Sequence, residues 1–492
     1  MATYFVRSDG ADTCDGTTDQ SAVQNAVHGA WKTVGKVNGY AFSAGDIIQF
    51  RGGDTFRDAG LSNSSVGTAQ SPITFQSYGT GRATIRGSKD FSGLTWSVYS
   101  GSVYQSTSVA GLPVTCLMAW LDSITPLTKA ASLGAMVAGT FWISGTTLYV
   151  WTPTGVSPAN PHTLEIANLN VNLVTLGKNY QTLNNMCVQH AQYTAAVMVL
   201  GSTLLGGVVT HCSVGYCVKA GIYSCTSGGS VDHNIVYDCW DQVLYPGGLA
   251  NGYGIVLSTG CINTPVYSNW IQNCYLGIRG LNSHQSPAIH HNIVLWSKVN
   301  SIDMTGGTAG LAPAIYNNFV WHRPNTGSGH GIDIQSGTAS SGIDIRNNIV
   351  YSDYNTAAPT NLELICLDQT NYAPVTVNNN CYWTSADYTA SFGKLASNLY
   401  ATFATWKTAL NGTSYTGKDA SSVNSDPLLA SLSAANPDFH IAFGSPCAGG
   451  GVNLSLTQDY DGAVVPSAKG YSIGAYEPYG GNQLDAPYYL SP

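Results

Sequence analysis

The stretch Val231-Asp232-His233-Asn234-Ile235-Val236 carries the pattern that decides the fold of this 492-residue chain. An apolar residue is followed by polar residues that end in Asn, and a β-branched or aromatic pair comes next. This pattern recurs between residues 183 and 382. The other copies lie at 183–185, 266–271, 289–294, 315–320, 345–350 and 377–382, and a weaker copy has Cys212 in place of Asn.

A repeat of roughly 20 to 35 residues is typical of a solenoid, because one short coil must stack on its neighbours to bury its apolar face. The repeats are too short and too rich in Val, Ile and Asn for helix pairs. The sequence therefore predicts a single-stranded right-handed parallel β-helix. In such a stack the repeated Asn amides can hydrogen-bond from coil to coil, and Cys217, Cys239 and Cys274 can pack as small apolar groups.

The composition favours a neutral and aromatic surface, with 9% charged residues, 55 Gly, 29 Tyr and a net charge of -8. Such a surface suits a polysaccharide partner and argues against nucleic acid, which binds basic proteins. No run of about 18 apolar residues is present, so no membrane span is expected. Twelve Cys without zinc-ligand spacing are expected to be mostly free and buried.

The start of the chain, Met1-Ala2-Thr3-Tyr4-Phe5-Val6, reads as a strand and shows no signal peptide. We expect an extracellular protein, either secreted after removal of a signal or located on the surface of a virion that lysis releases.

Four segments are predicted from the changes in pattern along the chain. Residues 1–91 form an N-terminal cap and the first coils, with a helix at about 21–37. Residues 92–165 form a β-rich insertion, because aromatic residues alternate there with Gly and Ser. Residues 166–385 form the β-helix repeats. Residues 386–492 form a C-terminal cap, with a helix at roughly 399–410 that covers the last coil.

Several segments near the two ends resemble the caps and first coils of the right-handed β-helix (pectate-lyase-like) superfamily, which includes polysaccharide lyases. The resemblance covers most of the chain and implies the fold, but it identifies no family within the superfamily. One fold hosts lyases, hydrolases, epimerases and inert spikes, so it implies little about chemistry. The segments that carry the resemblance are 45–56, 71–79, 425–428, 438–440, 444–446 and 473–477.

A second recurring strand predicts a row of outward side chains. If Ile222, Ile255, Ile278, Ile302, Ile332 and Leu362 point inward, the residue after each must point outward, since side chains alternate along a strand. Either this row is a solvated polar face or it carries a site. The outward row is Tyr223, Val256, Arg279, Asp303, Asp333 and Glu363.

The acids of this row suit a glycoside hydrolase. Carboxyl groups on adjacent rungs would lie about 5 Å apart, as in retaining enzymes, and those on alternate rungs about 10 Å apart, as in inverting enzymes. Asp303 or Asp333 would be the acid and Glu363 the base or nucleophile, while Arg279 would orient the carboxylate of an acidic sugar.

The same row also suits a polysaccharide lyase. A Ca²⁺ ion bound by Asp303, Asp333 and Glu363 could neutralise a uronate, because Ca²⁺ prefers hard oxygen ligands. The base would then be Arg279, His330 or Lys298.

His330 has two interpretations. Gly329-His330-Gly331 is similar to the Gly-His-Gly of polygalacturonase-like hydrolases, where a His lies near the catalytic acids, but the paired-Asp and Arg-x-Lys motifs of those enzymes are missing. The alternative is a residue of one of three long loops, at 241–251, 324–330 and 354–361, which would wall a groove.

A second outward row precedes each repeated Asn. Together with Tyr223, the residues Tyr267, His290, Tyr316 and Arg346 of this row are candidates for substrate binding. The row could equally be the interface of a homotrimer or of a particle-bound assembly. It consists of Asp232, Tyr267, His290, Tyr316, Arg346 and Asn378.

The sequence therefore predicts a protein that engages an extracellular, acidic polysaccharide and cleaves it by hydrolysis or β-elimination. The alternative is a non-enzymatic structural protein of a virion or cell surface, such as a tailspike, fibre or decoration protein.

Overall fold

A computed structural model describes residues 1–113, 115–239, 252–281, 287–305, 313–323, 328–335, 342–353, 361–368, 375–385, 391–433 and 436–478. The predicted loops 241–251, 324–330 and 354–361 lie mostly outside these ranges. Two compact units make up the chain: Met1–Leu200 with His211–Tyr223 and Tyr237–Tyr253, and Gly201–Thr210 with Ser224–Val236 and Gly254–Pro492. The four predicted segments remain a prediction.

Both units consist largely of parallel strands that follow one another through three sheets, coil after coil. This is the predicted right-handed parallel β-helix. Among the described residues, no helix is both long and apolar enough to cross a membrane. Four strands include residues of both units: Ala195–Leu205, Ala220–Ser227, Ile235–Cys239 and Tyr253–Leu257.

The first unit contains the N-terminal coils. Its parallel strands begin with Thr3–Val6, which pairs with Ile47–Arg51. The others are Thr55–Phe56, Ile73–Tyr78, Thr84–Arg86, Val174–Leu176, Gln181–Asn184, Cys187–Gln189 and Ser213–Cys217.

A further sheet of the first unit, besides the three parallel ones, is formed by the predicted insertion and its flanks. This sheet is mostly antiparallel. Its order is Ser88–Asp90, Leu164–Ala167, Met118–Leu121, Thr125–Lys129, Thr140–Ser144, Thr147–Trp151, Val103–Ser106 and Ser97–Ser100, and a short 3-10 helix spans Leu133–Ala135.

A buried ionic network ties this insertion sheet to the coils of the same unit. Glu165 accepts hydrogen bonds from Arg57 at 2.7 Å and from Arg86 at 2.8 Å. The ring of Trp120 stacks on His190 with centroids 3.9 Å apart. Each charged side chain of this network has a partner of opposite charge, so we interpret the network as a structural contact between the sheet and the coils.

The predicted helix at 21–37 is wrong over most of its length. The helix is only Val34–Asn38, and Val23 and Val27 are exposed. Asn25 accepts hydrogen bonds from the backbone of the two residues that end its turn, Val27 and His28. Such local side-chain bonds compete with a helix.

The second unit contains the longer part of the β-helix. Its described strands, sheet by sheet, are Val208–Thr210, Ser230–Asp232, Val266–Tyr267, Ala288–His290, Ala314–Tyr316, Ile343–Arg346 and Val375–Asn378; Trp270–Gln272, Ile293–Leu295, Phe319–Trp321, Ile349–Ser352 and Cys381–Thr384; Leu276–Gly280, Ile302–Met304, Ser328–Ile334, Asn361–Leu367, Gly393–Leu395 and Asn398–Tyr400; and the pair Leu429–Ser431 with Asp438–Ile441.

The repeated Asn residues of this unit form the predicted ladder. Each amide nitrogen donates to the side-chain oxygen of the next Asn at 2.9–3.0 Å. The residue before each one adopts a left-handed conformation, with φ between 51° and 56°, which Asn tolerates better than most residues. The ladder is Asn234, Asn269, Asn292, Asn318, Asn348 and Asn380.

In the first unit the corresponding copies are different. Asn185 itself takes the left-handed position, with φ 54°, so Met186 stands where the ladder Asn would be. His211 and Cys212 repeat this arrangement, because His211 has φ 55° and Cys212 is buried.

The ladder ends beside residues of the predicted C-terminal cap. The backbone N–H of Asn380 donates to Ser422 Oγ at 2.9 Å, and buried Asp419 accepts from Trp406 Nε1 at 2.8 Å. Trp406 belongs to the helix Phe403–Asn411, which packs on Gly393. The predicted helix at 399–410 is therefore confirmed, apart from its first four residues, of which Leu399 and Tyr400 lie in the strand Asn398–Tyr400.

Candidate active site

Three neighbouring strands of one sheet position the predicted charged row. Leu276–Gly280, Ile302–Met304 and Ser328–Ile334 pair in parallel, so that Arg279 lies beside Asp303 and Asp303 beside Asp333. The preceding residues Ile278, Ile302 and Ile332 are fully buried. For these three rungs the predicted register is confirmed.

The predicted position of Glu363 is wrong by three residues. Ile332 pairs with Ile365 and not with Leu362, so Cys366 lies beside Asp333. Glu363 lies instead beside His330. The strand Asn361–Leu367 has apolar residues at 362, 364, 365 and 367, so its apolar pattern alone allows two registers.

A second correction concerns exposure. Asp303, Asp333 and Glu363 are 2%, 1% and 0% exposed, so they do not form a solvated polar face. Arg279 and Tyr223 are half-buried. Buried carboxylates are costly unless hydrogen bonds and opposite charges compensate them, which makes their contacts informative.

Two side-chain amides join Asp303 and Asp333. Asn300 Nδ2 donates to Asp303 Oδ2 at 3.1 Å and to Asp333 Oδ2 at 2.8 Å. Gln335 Nε2 donates to the same two oxygens at 3.4 and 2.9 Å. Thr305 Oγ1 donates to the other oxygen of Asp303 at 2.6 Å. The carboxylates are therefore held together on adjacent rungs.

His330 lies between two acids. Its Nδ1 is 3.0 Å from Asp333 Oδ2 and its Nε2 is 2.8 Å from Glu363 Oε2. The second contact is an ion pair without hydrogen-bond alignment, since neither oxygen of Glu363 has a hydrogen-bond partner. Burial disfavours the charged ring, but the two carboxylates outweigh it and raise the pKa of His330 to about 9.

The two aspartates have opposite pKa shifts. Burial, reinforced by the charge of Asp333, raises the pKa of Asp303 to about 6. Burial also acts to raise the pKa of Asp333, but the hydrogen bond and charge of His330 outweigh it and lower that pKa below its ordinary value. At and below about pH 6 the site thus holds a proton donor, Asp303, beside an ionised carboxylate, Asp333.

One oxygen of Asp333 is left for other contacts. Oδ2 accepts from Asn300, His330 and Gln335, whereas Oδ1 is buried and receives no strong hydrogen bond. The thiol of Cys366, a weak donor, is a further group near this carboxylate.

A calcium ion bound by Asp303, Asp333 and Glu363 does not fit this arrangement. The three acids do not meet at one point, because the imidazole of His330 lies between Asp333 and Glu363 and supplies the positive charge there.

The glycines beside His330 have a packing role. His330 lies in the strand Ser328–Ile334 and not in a loop. A Cβ atom on Gly331 would lie 2.5 Å from the carbonyl oxygen of Leu364, and one on Gly329 would lie 2.3 Å from that of Val299. Close approach of neighbouring coils therefore accounts for both glycines.

Sequence reasoning missed Asn300, Thr305, Gln335 and Cys366. A signal for them exists, because one six-residue pattern recurs with Ile in third place and the acid row in fourth. In the first two copies, residues that contact the acids stand in the first and last places, and in the third copy Cys366 takes the place of the acid. The copies are Asn300-Ser301-Ile302-Asp303-Met304-Thr305, His330-Gly331-Ile332-Asp333-Ile334-Gln335 and Glu363-Leu364-Ile365-Cys366-Leu367-Asp368.

The predicted substrate-binding row lies on another sheet of the same unit. Tyr267, His290 and Tyr316 stack with centroids 5.1 and 5.0 Å apart and planes within 8°. Because these neighbours cover both faces of His290, it offers only a ring edge to a sugar. Arg346 continues the row and pairs with Asp344, while Tyr223 belongs to the first unit. The row is not brought together with the acids.

Lys298, the remaining candidate base, is half-buried and lies between the strands Ile293–Leu295 and Ile302–Met304.

Comparison with known proteins identifies the fold. No protein-family model and no curated protein matches the sequence. A solved structure described as a glycoside hydrolase matches with 12% identity and a TM-score of 0.56, over 80% of this chain and 95% of that one. Pectate lyase Pel9A matches with 12% identity and a TM-score of 0.55, over 97% of each chain.

A complex of XylC with xylose matches with 14% identity and a TM-score of 0.51, over 96% of this chain and 98% of that one. At such identities the likeness extends to the fold alone. The predicted resemblance to pectate-lyase-like β-helix proteins is thus confirmed for the fold: the chain is a right-handed parallel β-helix, similar to structures of carbohydrate-degrading hydrolases and lyases.

Proposed function

We propose that this protein hydrolyses glycosidic bonds of a polysaccharide, with Asp303 as the general acid and Asp333 as the nucleophile. The observation that carries the proposal is the pair itself. Two carboxylates on adjacent rungs share the same amide donors, yet the pKa of Asp303 is raised to about 6 and the pKa of Asp333 is lowered. Opposite pKa shifts of two carboxyl groups allow one to act as the acid and the other as the base or nucleophile.

The separation of the pair favours retention of anomeric configuration. Adjacent rungs of a β-helix lie about 4.8 Å apart, and carboxyl groups about 5 Å apart are typical of retaining glycosidases. This interpretation replaces Glu363 with Asp333 as the nucleophile, because Glu363 lies against His330 and three residues out of the expected register.

The reaction would proceed in two steps. Protonated Asp303 donates its proton to the glycosidic oxygen while Asp333 Oδ1 bonds to the anomeric carbon, and the bond from that carbon to the leaving sugar breaks. Asp303, now ionised, then takes a proton from water, whose oxygen bonds to the anomeric carbon as the bond to Asp333 breaks. His330 stabilises the Asp333 carboxylate before and after these steps.

The lyase interpretation is less well supported by these contacts. Elimination needs an unprotonated base, but both ring nitrogens of His330 face carboxylates and the pKa of the ring is raised to about 9, so this ring is protonated at neutral pH.

The test is incubation with plant, algal and bacterial polysaccharides, following new reducing ends and the ultraviolet absorbance of unsaturated products together. We expect reducing ends without unsaturated products. Asp303→Asn should lower the rate by about 10²–10⁴-fold. Unsaturated products would contradict hydrolysis, and a panel without any turnover would favour the non-enzymatic alternative.

Asp344→Asn is a matched control. Asp344 lies in the same unit on another sheet and pairs with Arg346, so its loss should leave the rate unchanged. An extracellular location, attachment to a virion and assembly as a homotrimer stay predictions.

A further inference from the structure

Two cysteine side chains lie against each other in the interior of the second unit. The thiol of Cys381 forms a hydrogen bond with the thiol of Cys447. Both side chains are fully buried, and they belong to one apolar cluster together with Phe439 and Ile473. The two cysteines are 66 positions apart in the sequence, so their contact joins distant parts of the chain.

Hydrogen bonds to one short segment, 425–427, hold both cysteines in place. The thiol of Cys381 donates to the carbonyl oxygen of Ser425 at 3.4 Å. Ser445 Oγ donates to the carbonyl oxygen of Pro427 at 2.6 Å and accepts from the backbone N–H of Cys447 at 3.1 Å. These bonds support the contact between the two thiols independently of the sulfur atoms of Cys447.

The contact lies where the coils meet the C-terminal segment. Cys381 directly follows Asn380, the last residue of the ladder. Cys447 precedes the segment 450–474, which contacts three coils. Carbonyl oxygens of this segment accept hydrogen bonds from the side-chain amides of Asn317, Asn347 and Asn379. A covalent bond between the two sulfurs would therefore link the end of the ladder to the segment that packs along it.

We propose that Cys381 and Cys447 form a disulfide when the protein folds in an oxidising environment, and that this bond fastens the C-terminal segment to the last ladder coil. The extracellular location that the sequence predicts is such an environment. The disulfide would stabilise the folded protein by restricting the unfolded chain between the two residues. The proposal does not depend on the hydrolase function.

The oxidant would be a low-molecular-weight disulfide such as oxidised glutathione. The thiolate of one cysteine attacks a glutathione sulfur, so that a mixed disulfide forms and one glutathione thiol leaves. The thiolate of the other cysteine then attacks the protein sulfur of the mixed disulfide, and the second glutathione thiol leaves. Two protein thiols are oxidised, one small disulfide is reduced, and the two protons of the protein thiols pass to the released glutathione.

Burial determines when this exchange can take place. Neither thiol is exposed to a small oxidant in the folded protein. Contact with Cys447, reinforced by burial, raises the pKa of Cys381 well above its ordinary value, and only the thiolate attacks a disulfide. The bond should therefore form during folding, before the C-terminal segment has packed, and folded reduced protein should be oxidised slowly.

The experiment is oxidative refolding of the full chain. The protein is unfolded in denaturant with a reductant and refolded in a mixture of oxidised and reduced glutathione. The remaining thiols are alkylated, and the peptides are identified by mass spectrometry. We expect a cross-linked peptide pair that contains Cys381 and Cys447, in much lower yield when folded reduced protein receives the same mixture. The thermal midpoint of the oxidised protein should lie several degrees above that of the reduced protein.

Two alanine variants assign the difference in midpoint. Cys447→Ala should abolish it. Cys274→Ala should keep it, because the thiol of Cys274 is buried in the same unit but donates to the backbone of Gln272. Alkylation of both Cys381 and Cys447 after oxidative refolding would overturn the proposal, as would a disulfide from either residue to another cysteine. An equal difference in both variants would overturn the stabilising role of this bond.

Discussion

Two buried polar rows run along the second unit, and they differ in how well their groups are satisfied. Each interior Asn of the ladder both donates to and accepts from its neighbours. The acid row has the same rung spacing, but Asp333 Oδ1 lacks a hydrogen-bond partner, and so do both oxygens of Glu363, which lies beside His330. Repetition of one neutral side chain stabilises the stack, whereas carboxylates on adjacent rungs repel one another, and this repulsion shifts their pKa values.

The comparison predicts that Asp333→Asn lowers activity far more than stability. The amide cannot attack the anomeric carbon, so the hydrolysis rate should fall by about 10⁴-fold or more. Thermal unfolding should occur at a lower temperature, because the ionised form of Asp333 is favoured in the folded protein and His330 would keep only Glu363 as a carboxylate partner. A variant that loses stability but keeps its activity would show that the acid row is structural, as the ladder is.

His330→Gln should destabilise the folded protein. It leaves Asp333 and Glu363 buried without their cation, so the free energy of unfolding should fall by roughly 3–5 kcal/mol. The wild-type stabilisation should have a matching pH dependence. Since the folded pKa of about 9 exceeds the unfolded value, the contribution is complete below about pH 6.5 and is lost as the pH rises through 9.

Denaturant unfolding from pH 6 to pH 10 measures this contribution, with His440→Gln as the control. His440 also bridges two acids, Asp438 and Asp461, but these carboxylates are about one-third exposed. The control should therefore lose less, and an equal loss in both variants would contradict the role of burial.

Asn318→Ala tests how much the Asn ladder contributes to stability. Asn318 Nδ2 donates to the carbonyl oxygens of Ile289 and Tyr316 and to Asn348, and its oxygen accepts from Asn292. Removing these bonds inside the stack should lower the free energy of unfolding by about 2–3 kcal/mol. In the control Asn378→Ala one hydrogen bond, to the backbone of Ser421, is lost, so the effect should be a fraction of this.

Arg279→Gln should have the smallest effect. The cation favours the ionised form of Asp303, so its removal raises the pKa of Asp303 further above 6. The alkaline limb of the pH–rate profile should move to higher pH by up to about one unit, and the rate at the optimum should be little changed. A shift to lower pH would contradict the assignment of Asp303 as the acid.

Much of the fold could be predicted from the sequence because two repeated patterns, one with Asn and one with Ile, are each contained in a short segment of every coil. The Asn pattern marks each coil, and the Ile positions at 278, 302 and 332 set the register of three rungs. The position of Glu363 could not be obtained from alternation alone, since 362, 364, 365 and 367 are all apolar. The six-residue pattern with Ile in third place would have resolved it.

The chemistry of the site was less predictable than its residues. Burial of Asp303 and Asp333 and the insertion of His330 between two acids depend on distances between coils that are 30 or more residues apart in sequence. No single-coil pattern contains that information. The stacking of Tyr267, His290 and Tyr316 likewise requires three coils to be in register.

The ladder is compatible with coils of different sizes and with different numbers of coils. Successive ladder residues are separated by 35, 23, 26, 30 and 32 residues, yet each presents the same donor and acceptor to the next. A whole coil excised between two ladder positions would rejoin equivalent partners, whatever the size of the loops it carried. Coils could therefore be gained or lost as units during evolution, and the loops that contact a ligand could change while the interior stays the same.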